Sequence, residues 1–93
     1  MKIILSPRAI EDLGEIEAFI AEDNPVRALS YLREIRAKIA SLGEFPQASP
    51  LRPEYGPNVR VVLHSVHMIF YRVFDAEIRI ERVLHTARDV RTL

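Results

Sequence analysis

The sequence has no cysteine, no net charge and no long apolar run, and each of these absences narrows what the chain can be. Without cysteine, neither a disulfide framework nor a thiolate metal site can form. No apolar run approaches the roughly 20 residues of a membrane-spanning helix. The short run Met1–Leu5, which Pro7 soon interrupts, is unlike a signal peptide. We therefore expect a cytoplasmic protein that does not contact a membrane.

The charges balance, with 13 basic and 13 acidic side chains. Proteins that bind nucleic acid directly usually carry a basic excess, so a neutral chain favours other partners. Only two of the basic residues are lysine. The others are arginines, whose planar guanidinium suits bidentate recognition at interfaces. Glycine is scarce as well, and its three isolated residues form no phosphate-binding loop.

The first half of the sequence predicts a strand followed by two helices. Lys2–Leu5 reads as a strand, and Ser6-Pro7 then supplies an N-cap and a proline at the first position of a helix that runs to Ala21. Asn24-Pro25 repeats that signal, so a three-residue connection folds the helices into an αα-hairpin. The predicted apolar stripe of the first helix is Ile10, Leu13, Ile16 or Glu17, and Ile20, with Phe19 beside it. The predicted stripe of the second helix is Ala28, Leu32, Ile35, Ile39 and Leu42.

The second half predicts a sheet. Residues 43–58 contain four prolines, which exclude a helix or a central strand and indicate a linker from the hairpin to the sheet. Runs of β-branched and aromatic residues predict the strands Val59–Leu63, His67–Phe74 and Glu77–Leu84, which short turns pair antiparallel. The predicted fold is one α+β domain, residues 1–93, of order β-α-α-β-β-β. The αα-hairpin packs on one face of a mainly antiparallel sheet, and a short C-terminal tail or helix begins near Thr86.

The two helices carry opposite charges. The first helix is acidic and the second basic, which indicates two solvated faces that attract each other weakly. The second helix lacks the basic start of a DNA-recognition helix, so we do not expect a helix-turn-helix. The acidic side chains predicted to be solvated on the first helix are Glu11, Asp12, Glu15 and Glu22.

Three histidines, His64, His67 and His85, are the available nitrogen ligands for a metal. His64 and His67 flank a predicted turn, and we expect neither to have an acidic residue nearby that would orient its ring. We therefore predict no metal site and no cofactor.

Arginines on and just beyond the strands are the remaining polar candidates. Arg82 breaks the alternation of Ile78, Ile80 and Leu84, because strict alternation would place its charge on their apolar face. Such a charge needs a partner, an edge or a β-bulge. One interpretation is an internal ion pair with Asp89 or Glu81, and the other is a ring of guanidinium groups that grips an anionic partner.

An ordered set of motifs resembles the RelE/ParE superfamily over nearly the whole chain. Ser6-Pro7 with Ala9, Asp12-Leu13 and Ile16 is similar to the opening of that superfamily, and residues 20–25 are similar to the helix junction of its ParE branch. Leu42, Phe45-Pro46 and the proline-rich loop match the middle of the family. The segments that resemble its strand motif and its closing signature are Met68–Val73 and Arg82–Asp89.

The resemblance implies a toxin of a bacterial type II toxin–antitoxin system. Such toxins are neutralised by a small antitoxin whose flexible C-terminal segment wraps around the toxin, as ParD does with ParE. The joint complex commonly represses its own operon, and the antitoxin makes the contacts with operator DNA. ParE toxins poison DNA gyrase, whereas RelE toxins cleave mRNA in the ribosome.

The neutral charge favours the ParE branch, because an enzyme that works against ribosomal RNA is expected to be basic. We therefore expect a gyrase inhibitor rather than an enzyme, with a RelE-type mRNA endonuclease as the alternative. Gyrase-binding candidates on the sheet and tail are Arg60, Arg72, Arg82, His85 and Arg88. If the chain is a nuclease, the catalytic candidates are His85, Arg82, Arg60 and Tyr71, which would supply the acid, base and charge-stabilising groups of a 2′-hydroxyl attack.

Candidates for the antitoxin contact are Leu29 and Tyr31, which lie off the main apolar stripe of the second helix. They are either exposed anchors for a partner or additional core residues. The antitoxin could lay an amphipathic helix in a groove of the hairpin or add an extended segment to an edge of the sheet.

Overall fold

The computed structural model describes residues 1–91 and 93 and has the predicted α+β architecture. A single turn of 3-10 helix, Pro53–Tyr55, interrupts the proline-rich linker. The helices and strands are β1 (Lys2–Leu5), α1 (Pro7–Ala21), α2 (Pro25–Ser41), β2 (Val59–His64), β3 (His67–Val73) and β4 (Glu77–His85). They agree with the predicted elements to within one or two residues at each end.

The four strands form one mixed sheet of order β1-β4-β3-β2. The β2–β3 and β3–β4 pairs are antiparallel, and β1 is parallel to β4. β1 is short and pairs only with Glu77–Ile80, the first half of β4. On that side, none of the strands formed by the described residues lies beside the second half of β4.

Both helices begin where the sequence places their caps. The Ser6 hydroxyl accepts a hydrogen bond from the Ala9 amide at 3.0 Å, and the Asn24 side chain accepts one from the Arg27 amide at 3.0 Å. A proline follows each cap at the first helical position, where its fixed φ suits the helix and its missing N–H leaves no donor unpaired. These local signals explain why the hairpin could be predicted.

The main core lies between the hairpin and one face of the sheet. Every residue of the predicted α2 stripe is buried. Four of them, Leu32, Ile35, Ile39 and Leu42, form one core cluster with residues of the sheet that include Ile69, Tyr71, Ile78 and Ile80. The α1 prediction was wrong at one position, because Ile10 is 58% exposed. The helix is rotated so that Ala9 and Asp12 face inward together with Leu13, which was predicted correctly.

A smaller cluster covers the opposite face of the sheet. Val59, Val61, Phe70 and Leu84 form its buried part, and side chains from the 3-10 turn and the C-terminal tail pack against it. The Leu93 amide donates to the carbonyl of Tyr55 at 2.9 Å. Of the two predicted forms of the C terminus, the described residues after His85 form a tail without a helix.

An ion pair between Asp12 and Arg82 joins α1 to β4. Two guanidinium nitrogens donate to the two carboxylate oxygens, from Nε at 2.8 Å and from Nη2 at 2.9 Å. Asp12 is only 5% exposed, so the prediction that it belongs to a solvated acidic face was wrong. Of the two interpretations of Arg82, the internal ion pair is the one found, but the partner is Asp12 rather than Asp89 or Glu81.

A β-bulge explains why Arg82 breaks the alternation of β4. Phe70 pairs with Arg82, and the next residue of β3, Tyr71, pairs with Ile80, so Glu81 is an extra residue on β4. One extra residue shifts the inward positions that follow it, which is why Val83 joins Ile78 in the main core.

Within residues 1–91 and 93, no helix combines the length and apolarity needed to cross a membrane.

We predict that Asp12→Asn lowers the free energy of unfolding by about 3 kcal/mol, because it leaves the largely buried guanidinium of Arg82 without a counter-charge. Urea denaturation of the two proteins would measure the difference. Glu11→Gln is the matched control, since Glu11 is the exposed neighbour of Asp12 and the substitution should change stability by less than about 0.5 kcal/mol. Equal stability of Asp12→Asn and the unmodified protein would contradict the role given to this pair.

Candidate functional site

Beyond the end of β1, two residues bind the edge of β4: Ser6, the N-cap of α1, and Asp12 of α1. The Ser6 hydroxyl donates to the Glu81 carbonyl at 2.8 Å, and the Ser6 amide donates to the Ile80 carbonyl at 2.9 Å. Further along, the Val83 amide donates to Asp12 Oδ2 at 2.9 Å. Side chains therefore occupy backbone groups that a further strand would need for pairing.

A groove of about 620 Å³ opens between α1 and this end of the sheet. One wall is α1, with Ile16 and Ile20 half-buried and Phe19 75% exposed. Val83 and Leu84 of β4 contribute to its lining. The groove thus exposes apolar side chains next to a strand edge whose hydrogen bonds are already made.

The opposite wall of the groove carries polar groups. It consists of the β2–β3 turn with Ser65 and Val66, then His67, His85 and Arg88. Arg88 is exposed on this wall, and Glu15 is an exposed carboxylate on the α1 wall. The lining of the groove thus combines apolar side chains with an exposed carboxylate, Glu15, and two exposed guanidinium groups, Arg27 and Arg88.

The three histidines lie in one row across the sheet, since His64 pairs with His67 and His67 pairs with His85. The rings of His67 and His85 meet edge to face with centroids 5.6 Å apart. Tyr31 of α2 covers the row, with its hydroxyl 2.6 Å from His67 Nδ1. The spacing of the histidines in the sequence did not predict this row. His85 lies beside the other two because of the register of the strands, which the number of intervening residues does not reveal.

Burial lowers the pKa of His67, and the nearby charges of His85 and His64 lower it further. The pKa of Tyr31 is raised, chiefly because its hydroxyl is removed from water. The neutral forms of both side chains are thus favoured. The tautomer of His67 sets whether its Nδ1 accepts from or donates to the Tyr31 hydroxyl.

His64 has an acidic neighbour after all. Its Nε2 lies 3.0 Å from Glu34 Oε1, and Glu34 also pairs with Arg27. The statement that His64 lacks an acidic residue nearby was wrong, because α2 supplies one from 30 positions away in the sequence. Even so, among residues 1–91 and 93 no three His, Asp or Glu side chains are grouped so that they could hold a metal ion.

Two of the candidate nuclease residues bind the proline-rich linker. Arg60 Nη1 donates to the carbonyls of Ser49 at 2.5 Å and Gln47 at 3.4 Å. The hydroxyl of Tyr71 donates to the carbonyl of Pro46 at 3.0 Å. Both side chains thereby hold the linker against the sheet.

Two further arginine candidates are also engaged inside the molecule. Arg72 forms an ion pair with Glu81, the extra residue of the bulge, and its Nε donates to the Pro57 carbonyl at 2.9 Å. Arg82 is held by Asp12. Hydrogen bonds to Asp12 raise the pKa of Arg82, as expected for a guanidinium with a close counter-charge.

The candidate nuclease residues do not converge. Tyr71 pairs with Arg60, whereas His85 pairs with His67, which is four positions from Tyr71 along β3. Four positions along a strand correspond to about 13 Å. Of the five candidates for binding a target, His85 and Arg88 have exposed side chains in the groove lining.

The two antitoxin candidates differ in exposure. Leu29 is 55% exposed, which fits an anchor for a partner, whereas Tyr31 is 5% exposed and completes the core as in the alternative interpretation. Sequence reasoning missed the more prominent apolar side chain, Phe19, at the groove. The sequence offered one indication of its exposure, namely that this aromatic residue lies outside the predicted apolar stripe of α1.

Comparisons with known proteins agree with this architecture. The family model of the ParE toxin of type II toxin–antitoxin systems, parDE, matches residues 3–90. A chain of the solved structure described as the chromosomal ParDE TA system from P. aeruginosa is similar, with a TM-score of 0.77 and 24% identity. The match covers 91% of the present chain and 95% of that one, and at this identity it shows the fold. No curated protein matches the sequence significantly.

We predict that acid destabilises the fold through His67. Because its pKa is lower in the folded protein than in the unfolded chain, the unfolded state binds more protons below pH ~6.5. The free energy of unfolding should therefore fall as the pH decreases from 7.5 towards 5.5. His67→Gln should flatten this dependence in urea denaturation across that range. An unchanged slope in the variant would contradict the assignment.

Proposed function

The chain belongs to the family of ParE toxins of type II toxin–antitoxin systems, and from this membership we propose a specific partner and a specific target. The partner is a ParD-like antitoxin that binds the groove beside α1 and neutralises the toxin. The target is DNA gyrase, which the free toxin inhibits. Both interactions place the protein in the cytoplasm. Operator DNA is contacted only through the antitoxin, because the neutral toxin offers little attraction for phosphates.

The observation that carries the antitoxin site is the apolar lining of the groove. Phe19 is 75% exposed and Val66 46% exposed, and both contribute to that lining. Exposed apolar side chains gathered in one groove are typical of a protein-binding surface. A ligand with an apolar face would bury them.

The capped edge of β4 favours a helix over a strand as the bound form of the antitoxin. A strand added beside β4 would need the Val83 amide and the Glu81 carbonyl, which Asp12 and Ser6 already bind. A helix satisfies its own backbone and needs only a groove for its apolar side chains. Charge complementarity further predicts a basic residue of that helix near Glu15 and an acidic one near Arg88.

The internal roles of the sheet residues favour a gyrase inhibitor over an mRNA endonuclease. Arg60 and Tyr71 hold the linker, and Arg82 is bound by Asp12. Using them in catalysis would break contacts of the fold. The endonuclease remains the second candidate because His85 and Arg88 are exposed in the groove.

We predict that Phe19→Asp escapes neutralisation. The substitution places a charge in the apolar groove and should weaken binding of the antitoxin encoded beside the toxin gene by at least about thirtyfold, the scale of a binding hot spot. Phe45→Asp is the matched control, since Phe45 is 70% exposed in the linker and outside the groove. Calorimetry with purified proteins and growth during co-expression would measure both effects. Equal binding by the two variants would exclude the groove as the antitoxin site.

We predict that the purified toxin blocks supercoiling by the gyrase of its host and that pre-incubation with the antitoxin abolishes the effect. The control is host gyrase with heat-unfolded toxin. Full supercoiling at a large molar excess of folded toxin would contradict the gyrase target. Cleavage of ribosome-bound mRNA by the same preparation would establish the endonuclease instead.

A further inference from the structure

A second groove, of about 460 Å³, lies between α1 and α2 and shares no lining residue with the first. Leu13 and Leu32, both buried in the main core, contribute to it, and so does Ile10, which is 58% exposed. Nothing in the proposed antitoxin contact uses this surface.

Gly14 contributes to this groove from the middle of α1. Glycine inside a helix is less stable than alanine, because it loses more backbone freedom on folding. A Cβ built at Gly14 would meet nothing within 4 Å. Packing within the chain therefore leaves room for a larger residue at position 14. A second helix packed closely against α1 would not leave that room, and it would require a glycine.

Two opposite charges mark the two ends of the groove. Glu17 lies three residues after Gly14, and Arg36 lies beside the start of α1 because α2 folds back along it. From Ile10, near Arg36, to Glu17 the helix rises about 10 Å. Both charged side chains are exposed. Within the described part of the chain, neither has an ion-pair partner.

We propose that a second copy of this chain docks on this groove as a two-fold symmetric dimer. The two-fold axis of this dimer passes near Gly14, so each end of the groove in one copy faces the opposite end in the other. Glu17 of each copy then meets Arg36 of the other. The missing side chain of Gly14 lets the two α1 helices approach closely where they cross. Ile10 of each copy, near the rim, is then covered.

The dimer is compatible with antitoxin binding, because the two grooves are lined by different residues. The contact surface is limited to one face of a helical hairpin, so a dissociation constant on the order of micromolar is expected. Neither the antitoxin nor the target takes part in the dimer contact.

Charge reversal in the full-length chain tests the dimer. Sedimentation equilibrium of the purified protein, from about 1 to 200 µM, should show a dimer that Glu17→Arg or Arg36→Glu each weakens at least about tenfold. The double variant Glu17→Arg/Arg36→Glu re-creates both ion pairs with reversed signs and should restore the dimer to within about threefold. Arg33→Glu is the control, since Arg33 is exposed on α2 outside the groove, and should leave association unchanged.

Gly14→Ala separates dimer formation from folding. It should raise the thermal midpoint of the monomer by about 3 °C, because alanine favours the helix and its methyl group meets open space. The same substitution should weaken the dimer, because the methyl group would lie where the helices cross. A wild-type protein that stays monomeric at about 200 µM, or a double charge variant that fails to recover association, would overturn the proposal.

Discussion

The rest of the site depends on the hydrogen bonds that the carboxylate of Asp12 accepts. It binds the guanidinium of Arg82 through two hydrogen bonds and the amide of Val83 through a third. The bulge that places Arg82 within its reach also returns Val83 to the core. One side chain thus fixes α1 to the sheet, neutralises a largely buried charge and occupies a donor on the strand edge that β1 leaves uncovered.

In the proposed antitoxin contact, this arrangement favours a helical partner over an added strand. A short β1 would normally leave the end of β4 open to strand addition, but Ser6 and Asp12 occupy backbone groups there. The neighbouring groove instead exposes apolar side chains, chiefly Phe19 of α1. A domain of this size buries only part of its surface by itself, so a partner helix that covers the groove would also stabilise the toxin.

The sequence predicted the elements well because their signals are local. The caps Ser6 and Asn24, each followed by proline, marked both helices, and the α2 stripe was correct throughout. The site was predicted less well, because its contacts join distant positions. Arg82 was recognised as anomalous, yet its partner Asp12 lies 70 residues away. No pattern within one helix separates a buried aspartate from its solvated neighbour Glu11. Strand register, which the sequence indicates only loosely, assembled the row that includes His67 and His85.

Amide hydrogen exchange of the toxin, measured with and without its antitoxin, tests the central claim most directly. If the antitoxin binds as a helix in the groove, slower exchange should appear in α1 from Glu15 to Ala21 and in the β2–β3 turn, residues 64–67. The outer edges of β1 and β2 should be unaffected, since no strand is added to the sheet. New protection confined to β1, to β2 or to residues 43–58 would contradict the account.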